Sequence, residues 1–316
     1  MPPYSLSRRD IIRGAVAASA ALALGPVIPI FAQGSAQQGL ITKAIPSTGE
    51  QLPVIGVGTN QFGVQTPEEM ATLQTVLENM IEQGGSVIDT ARTYGRSEEV
   101  IGELLQNIGQ RDRFFISTKT PIRGAIRSPD EEVQEAFDRL QVETIDLMLI
   151  HNLHELDQLM PALIRAKEDK RVRYIGMSTS LPSQYGGMME GMRRYPLDFI
   201  QVNYSLDDRS AEEEMLPLAM ERKMAVMVNV PFGGSRSAQM MFSRVADREL
   251  PDWAAEIDAN SWAQVFLKYL VSHPAVTVVI PGTTQVRHML DNQGAGKGRL
   301  PDQAMRQEIE RYWDAL

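Results

Sequence analysis

Four ionisable side chains of different chemical type lie at or just beyond the ends of short apolar runs. Asp89 closes the run 86–89 and Tyr94 follows five residues later, while Lys119 and His151 close two further runs. A phenol is a weak acid at neutral pH, but a positive charge beside it stabilises the phenolate. A carboxylate can hold such a lysine charged and fixed, and a histidine can hydrogen-bond a carbonyl oxygen. Together these side chains predict proton donation to a carbonyl group that is receiving a hydride.

The segments that carry these side chains follow a repeating pattern along the chain. Apolar runs alternate with longer amphipathic segments such as 67–84 and 128–140. Runs that are almost wholly apolar are typical of parallel strands covered on both faces, and their alternation with helices predicts βα units. Eight such units predict an α/β fold, the closed (β/α)8 TIM barrel, with an open doubly wound sheet as the alternative. The eight runs are 53–59, 86–89, 113–119, 144–151, 172–178, 198–203, 224–229 and 275–282.

Two segments lie outside this count. Residues 41–56 contain Thr48-Gly49 between short β-like runs, which predicts a β-hairpin before the first barrel strand. Residues 232–258 form a long insertion after the seventh run, and long loops at that end of a barrel usually carry function.

The active site of such a barrel lies where the strands end. Asp89, Lys119 and His151 would therefore meet at one mouth, with Tyr94 just beyond Asp89. Each alone has a structural explanation, for example a helix cap for Asp89 or a core position for His151. Their arrival from neighbouring strands favours a functional site.

Composition excludes several classes of function. The net charge is −9 and no block of basic residues interrupts the sequence, so no nucleic-acid partner is expected. The chain contains no cysteine, which excludes disulfides, thiolate metal sites and thiol nucleophiles. His151 and His154 are three residues apart, but no further ligands accompany them, so no metal site is predicted.

The N-terminus carries a different signal. "SRRDIIRG", which begins at Ser7, has the twin-arginine pattern, and an apolar, alanine-rich stretch follows from Ala15 to Phe31. Ala32 or Ala36 would end a small-residue cleavage site. An ordinary N-terminal helix or tail is the alternative interpretation.

This pattern predicts two parts of the chain. Residues 1–36 would be a twin-arginine signal peptide with a short linker, and residues 37–316 the barrel. The expected partner is the twin-arginine export machinery, and the expected location is the periplasm or another exported site. The glycine and prolines in the apolar stretch make it too weak for a membrane span, so none is expected after processing.

From about Ile41 onward, the sequence resembles the aldo-keto reductase family. The motifs "TGEQLPVIGVGT", "IDTARTYG" with "SEEVIGELL", "FFISTK", "DLMLIH", "RYIGMS", "FIQVNYS" and "VIPGTT" with "LDN" stand in the family's order and spacing. The resemblance implies a barrel that binds NADP(H), with NAD less favoured, and reduces an aldehyde or ketone to an alcohol. It implies that Tyr94 is the general acid, Lys119 its neighbour, Asp89 the partner of that lysine and His151 the residue that orients the substrate.

The same resemblance implies a set of cofactor contacts, with two departures. Thr179 stands where the family usually has asparagine, and Asn229 stands where a tyrosine stacks under the nicotinamide, so Phe232 becomes the candidate for that role. Arg287 would favour NADPH over NADH at the adenosine end. The alternative function is a cofactor-binding regulatory or interaction protein with little turnover. The implied cofactor contacts are Thr59, Ser178, Gln201, Phe232, Thr283, Arg287, His288 and Asn292.

Overall fold

Eight parallel strands form the central sheet, and a two-stranded antiparallel hairpin precedes them. The computed structural model describes residues 39–316, apart from 123, 125–127 and 234 and the side chains of 235–239. The signal assigned to residues 1–36, and the boundary at 37, lie outside the described residues. The strands are β1 (Thr42–Ala44), β2 (Gln51–Pro53), β3 (Val57–Gly58), β4 (Val87–Asp89), β5 (Phe115–Lys119), β6 (Ile145–His151), β7 (Val172–Thr179), β8 (Phe199–Asn203), β9 (Ala225–Asn229) and β10 (Val276–Val279).

The sheet closes on itself. Strands β3 to β10 pair in chain order, and the first strand region also bonds to the last. The Gly56 N–H donates to the Val279 carbonyl at 2.9 Å and the Gly58 N–H to the Pro281 carbonyl at 3.0 Å. The prediction of a closed barrel is therefore confirmed, and the open doubly wound sheet is wrong. The hairpin predicted at 41–56 is also confirmed as β1 and β2.

Ten α-helices occur in the described residues, and most of them follow a barrel strand. Sequence signals fix several helix starts: the Thr66 hydroxyl accepts from the Glu69 N–H in a capping box, and Ser128 caps the next-but-one helix in front of Pro129. The helices are α1 (Pro67–Glu82), α2 (Ser97–Ile108), α3 (Pro129–Leu140), α4 (Leu156–Glu168), α5 (Tyr185–Arg194), α6 (Met215–Glu221), α7 (Ser235–Val245), α8 (Trp262–Ser272), α9 (Val286–Gly294) and α10 (Gln303–Asp314).

The insertion at 232–258 is not an irregular loop. It contains α7 and a 3₁₀ helix at Asp252–Ile257. No helix in the described part of the chain is both long and apolar enough to cross a membrane.

The core has two layers. The larger one fills the space between the strands and the helices, and the smaller one fills the inside of the barrel. Inside the barrel, the rings of Phe115, Tyr174 and Phe199 lie 5.7 to 6.0 Å apart between centroids. Gly176 lies in the same layer, where a Cβ atom would stand 2.2 Å from the Phe199 carbonyl oxygen.

The hairpin is fastened to the barrel by a largely buried lysine. Lys43 Nζ donates to the carbonyl oxygens of Val271, His273 and Val276 at 2.6, 2.9 and 2.7 Å. These three bonds satisfy an ammonium group whose pKa burial lowers to about 8, with the charge of Arg306 adding to the effect. The hairpin is thus part of the folded unit.

Candidate active site

A buried ion pair lies at the mouth of the barrel, where β4 and β5 end. Lys119 Nζ donates to both carboxylate oxygens of Asp89, at 2.9 and 2.8 Å, and to the Thr90 carbonyl at 2.8 Å. The Ser117 hydroxyl donates to Asp89 Oδ1 at 2.9 Å from the same strand as the lysine. Adjacent parallel strands in register bring these side chains together, as the sequence predicted.

The electrostatics of this pair keep the lysine charged. Burial alone would lower the pKa of Lys119, but the charge of Asp89 and the hydrogen bond to it outweigh this and raise that pKa above its usual value. Lys119 Nζ lies 5.5 Å from the centroid of the Tyr94 ring. A fixed positive charge therefore faces the phenol.

Tyr94 is half-buried on the turn between β4 and α2. Its N–H donates to the Ala91 carbonyl at 3.0 Å, and its own carbonyl accepts the Ser97 N–H at 3.2 Å. These bonds fix the backbone of the turn that carries the phenol, at the start of α2.

His151 ends β6 and is buried and neutral. Burial, and the nearby charge of Lys119, lower the pKa of His151 to about 3. Its backbone N–H donates to Thr120 Oγ1 at 3.1 Å. Its Nδ1 has no hydrogen-bond partner among the described residues. A neutral imidazole carries one N–H, which it can donate to a carbonyl oxygen.

A cavity of about 470 Å³ opens above these strand ends. It brings together eight of the twelve residues predicted from the sequence, from strands on all sides of the mouth. Those eight are Tyr94, Lys119, Asp89, His151, Thr59, Ser178, Gln201 and Phe232.

Thr59 serves the scaffold as well as the cavity. Its hydroxyl donates to the Asp89 carbonyl at 2.9 Å and accepts from Ser97 Oγ at 3.1 Å. The hydroxyl thereby ties the first barrel strand to the start of α2, which carries the Tyr94 turn. Its capacity to bind a cofactor is correspondingly reduced.

Phe232 lies on the opposite side of the cavity, in an aromatic cluster. Its ring centroid is 5.2 Å from that of Phe242 and 6.5 Å from that of Phe266. This packing holds one aromatic surface at the cavity wall.

The remaining four predicted residues lie outside the cavity lining. They follow Gly282, the last lining residue of the chain, and lead into or lie on α9. Thr283 closes a local turn by accepting the Gln285 N–H at 3.0 Å, and exposed Arg287 donates from Nε to Gln285 Oε1 at 2.9 Å. His288 is exposed and Asn292 is buried.

The sequence missed several polar residues near the site. Ser117 supports Asp89, and Asn60 and Asn152 line the cavity. Alternation along β5 could have identified Ser117, because it lies two residues before Lys119 and faces the same side.

A further buried carboxyl lies at the start of α2, beside the strand that carries Lys119. The Thr118 hydroxyl donates to Glu98 Oε1, and Glu98 Oε2 has no partner in the described residues. Burial raises the pKa of Glu98 to about 7.

Within the described residues, no group of three or more His, Asp or Glu side chains is arranged to hold a metal ion. His154, the second histidine of "HNLH", pairs through Nε2 with the Gly124 carbonyl at 3.1 Å.

Comparison with known proteins identifies the family to which this barrel belongs. Residues 54–312 match the model of the aldo/keto reductase family. The chain belongs to that family. This confirms the resemblance drawn from the motifs.

Three aldo/keto reductases, two compared by sequence and one by structure, are similar to this chain at 24–30% identity. Aldo-keto reductase YhdN of Bacillus subtilis is 30% identical over 203 residues, which cover 58% of this chain and 60% of that protein's length. Methylglyoxal reductase YeaE of Escherichia coli is 27% identical over 261 residues, covering 79% of this chain and 88% of that protein. The crystal structure of a Klebsiella pneumoniae aldo/keto reductase in complex with NADP and acetate has a TM-score of 0.68 at 24% identity, covering 84% of this chain and 93% of that one. That similarity establishes the fold.

Proposed function

We propose that this protein reduces an aldehyde or ketone to an alcohol with NADPH. The observation that carries the proposal is the arrangement of Lys119 between Asp89 and the Tyr94 ring, with neutral His151 in the same cavity. Membership of the aldo/keto reductase family supports the same reaction.

Each of the four ionisable residues has its own role in the proposed reaction. The Tyr94 phenol donates its proton to the carbonyl oxygen, and the charge of Lys119 stabilises the phenolate that remains. Asp89 keeps Lys119 charged and in place through its two hydrogen bonds. The imidazole of His151, uncharged over the physiological range, donates an N–H to the same carbonyl oxygen and orients the substrate.

The cavity fits a nicotinamide cofactor, which when bound supplies the hydride. One wall of the cavity holds the charged Asp89–Lys119 pair, and the wall at β7 and β8 is polar but uncharged. There, Ser178 and Gln201 could hydrogen-bond the neutral carboxamide of the nicotinamide. Phe232 offers an aromatic surface for a flat ring. Arg287 is the cation closest in sequence to the cavity on the α9 side and would meet a 2′-phosphate.

The test is NADPH oxidation, followed at 340 nm with a panel of neutral aldehydes and ketones that includes methylglyoxal. Turnover is expected with at least one of them, and Tyr94→Phe should lower kcat/KM by about 10²- to 10⁴-fold, the usual worth of a general acid. NADPH affinity should be nearly unchanged in that variant. NADPH binding without turnover in the wild type would favour a regulatory or interaction role, and near-normal turnover in Tyr94→Phe would remove Tyr94 from the mechanism.

We also propose that residues 1–36 form a twin-arginine signal and that the barrel works in the periplasm or another exported site. The pattern at Arg8 and Arg9, followed by the alanine-rich stretch, supports this. The twin-arginine export machinery is then the protein partner, and a small carbonyl compound is the substrate.

A further inference from the structure

The cavity has a chemically distinct side that the catalytic group does not use. The ionisable residues Asp89, Lys119 and His151 come from β4, β5 and β6, whereas β7, β8 and β9 contribute the uncharged side chains Ser178, Gln201 and Asn229. A hydride donor must lie beside the carbonyl that the first group holds. The uncharged side is therefore where the neutral part of the cofactor belongs.

Asn229 is the residue on that side with the most unused hydrogen-bonding capacity. It lines the cavity, its Oδ1 is buried without a partner, and its amide makes no side-chain hydrogen bond with any described residue. A buried amide oxygen left unpaired costs free energy, so natural proteins rarely leave one without a ligand or water to satisfy it.

The neighbouring polar side chains, Thr179 and Gln201, already make hydrogen bonds within the protein. The Thr179 hydroxyl donates to Gln184 Oε1 at 2.7 Å and accepts from the Leu181 N–H at 3.0 Å, so it is turned to its own loop. Gln201 Nε2 donates to Met227 Sδ at 3.0 Å, which leaves its carbonyl oxygen for the cavity. A ligand group that meets both Gln201 and Asn229 finds a carbonyl acceptor on each, and a group that brings N–H donors can satisfy both.

The backbone beyond Asn229 is held in a strained conformation. Val230 has φ of 52°, in the left-handed region that β-branched residues avoid, and its carbonyl accepts the Gly233 N–H at 2.8 Å. Strain of this kind persists where the surrounding structure imposes it, often at ligand sites. Here the strained residue turns the chain immediately after Asn229.

We propose that Asn229 accepts a hydrogen bond from the carboxamide N–H of the nicotinamide ring, and so positions that ring by hydrogen bonding in place of aromatic stacking. The proposal rests on the proposed use of NADP(H). A primary carboxamide supplies two N–H donors, which suits the two free carbonyl oxygens of Gln201 and Asn229.

The test compares NADP with its 3-acetylpyridine analogue, in which a methyl group replaces the carboxamide nitrogen. Dissociation constants are measured by isothermal titration calorimetry, so no turnover is needed. Wild type should bind NADP about 10-fold more tightly than the analogue, because the analogue leaves a buried acceptor unpaired. Asn229→Leu, which has nearly the same shape, should reduce this preference to about three-fold, because only the Gln201 acceptor then distinguishes the two dinucleotides.

Two further variants separate hydrogen bonding from shape. Asn229→Asp keeps an acceptor and should keep the preference for NADP. Asn203→Leu is the matched control, because Asn203 pairs in register with Asn229 on β8 but lines a separate small cavity. It should keep the full preference.

The outcomes are distinct. Equal affinity of wild type for the two dinucleotides, or a preserved preference in Asn229→Leu, overturns the role of Asn229. The same loss in Asn203→Leu as in Asn229→Leu also overturns it, since the effect would then not be specific to the cavity. Failure of wild type to bind either dinucleotide would refute the use of NADP(H) itself.

Discussion

At the scale of single residues, His151 shows how burial sets both chemistry and stability. Its pKa falls from 6.5 to about 3 on folding, so between these values the unfolded chain binds more protons than the folded one. Stability must therefore rise with pH through this window and be lost as the pH falls below about 6.5. In the proposed mechanism, the same burial keeps the imidazole uncharged while it donates to the substrate carbonyl.

We expect His151→Gln to flatten this dependence. Between pH 7 and pH 5, wild type should lose about 2 kcal/mol more unfolding free energy than the variant does, because only wild type carries this proton-linked penalty. Urea unfolding at both pH values measures the difference. The depressed pKa of His273 contributes equally to both proteins and so cancels. Parallel losses in the two proteins would show that His151 is not held neutral.

Arg287 tests the choice between cofactors. It is exposed, and only its Nε has a partner, Gln285 Oε1, among the described residues. Because a hydrogen bond to a charged group contributes about 1.5–3 kcal/mol, Arg287→Ala should weaken NADPH binding by at least about 10-fold and leave NADH unchanged. Fluorescence titration measures the four constants, and Arg287→Lys, which keeps the charge, serves as the control. An equal loss for both cofactors would place Arg287 away from the 2′-phosphate.

At the scale of elements, the approach of β7 to β8 depends on one missing side chain. Gly176 pairs in register with Phe199, and a Cβ atom there would lie 2.2 Å from the Phe199 carbonyl oxygen and 2.7 Å from Leu149 Cδ2. Real Cβ atoms do not come so close to backbone, so the two strands would have to separate.

Gly176→Ala should therefore destabilise the barrel by about 2 kcal/mol, in the range of overpacked cores. Gly186→Ala is the matched substitution on α5, where a Cβ meets nothing within 4 Å. Alanine favours helix there, so this variant should gain about 0.5–1 kcal/mol. Thermal melts should show a lower melting temperature than wild type for Gly176→Ala and a higher one for Gly186→Ala. Equal shifts in melting temperature would mean that the contact at Gly176 relaxes easily.

Much of the fold could be predicted from the sequence because the signals were local. Apolar runs located the barrel strands, and Ser128 with Pro129 marked a helix start. The helix α7 was not expected, because its segment lacks such a run and such a start signal. Its buried residues, Met241 and Val245, become apparent only in the folded structure. Likewise Asp89, Lys119 and His151 were identifiable because each ends a run, but the free amide of Asn229 was not, since whether it has a partner depends on side chains from neighbouring strands.

At the scale of the whole molecule, the sequence contains no cysteine, and therefore no disulfide, thiolate metal site or reactive thiol. Its hairpin is fastened by Lys43 and its mouth by the Asp89–Lys119 pair, neither of which responds to redox conditions. The same fold can therefore exist in a reducing cytoplasm and in an oxidising compartment outside it.

Export itself can be tested with the full chain. Arg8→Lys combined with Arg9→Lys keeps the charge but removes the arginine pair, so the precursor should accumulate in the cytoplasm, folded and active. Arg13→Lys is the control, because it makes the same exchange outside the pair and should leave export unchanged. Cell fractionation with an activity assay measures the distribution, and normal export of the double variant would refute the twin-arginine assignment.

The bonds that close the barrel join Gly56 and Gly58 to Val279 and Pro281, near the two ends of the barrel sequence. Contacts of such long range form slowly, because the intervening chain must first be ordered. During synthesis, β10 must leave the ribosome before it can pair with the β3 region. Until then, β3 has one unpaired edge. The cavity over the strand ends takes its final shape only then, and a cofactor that binds there would capture the barrel at the last step of its folding.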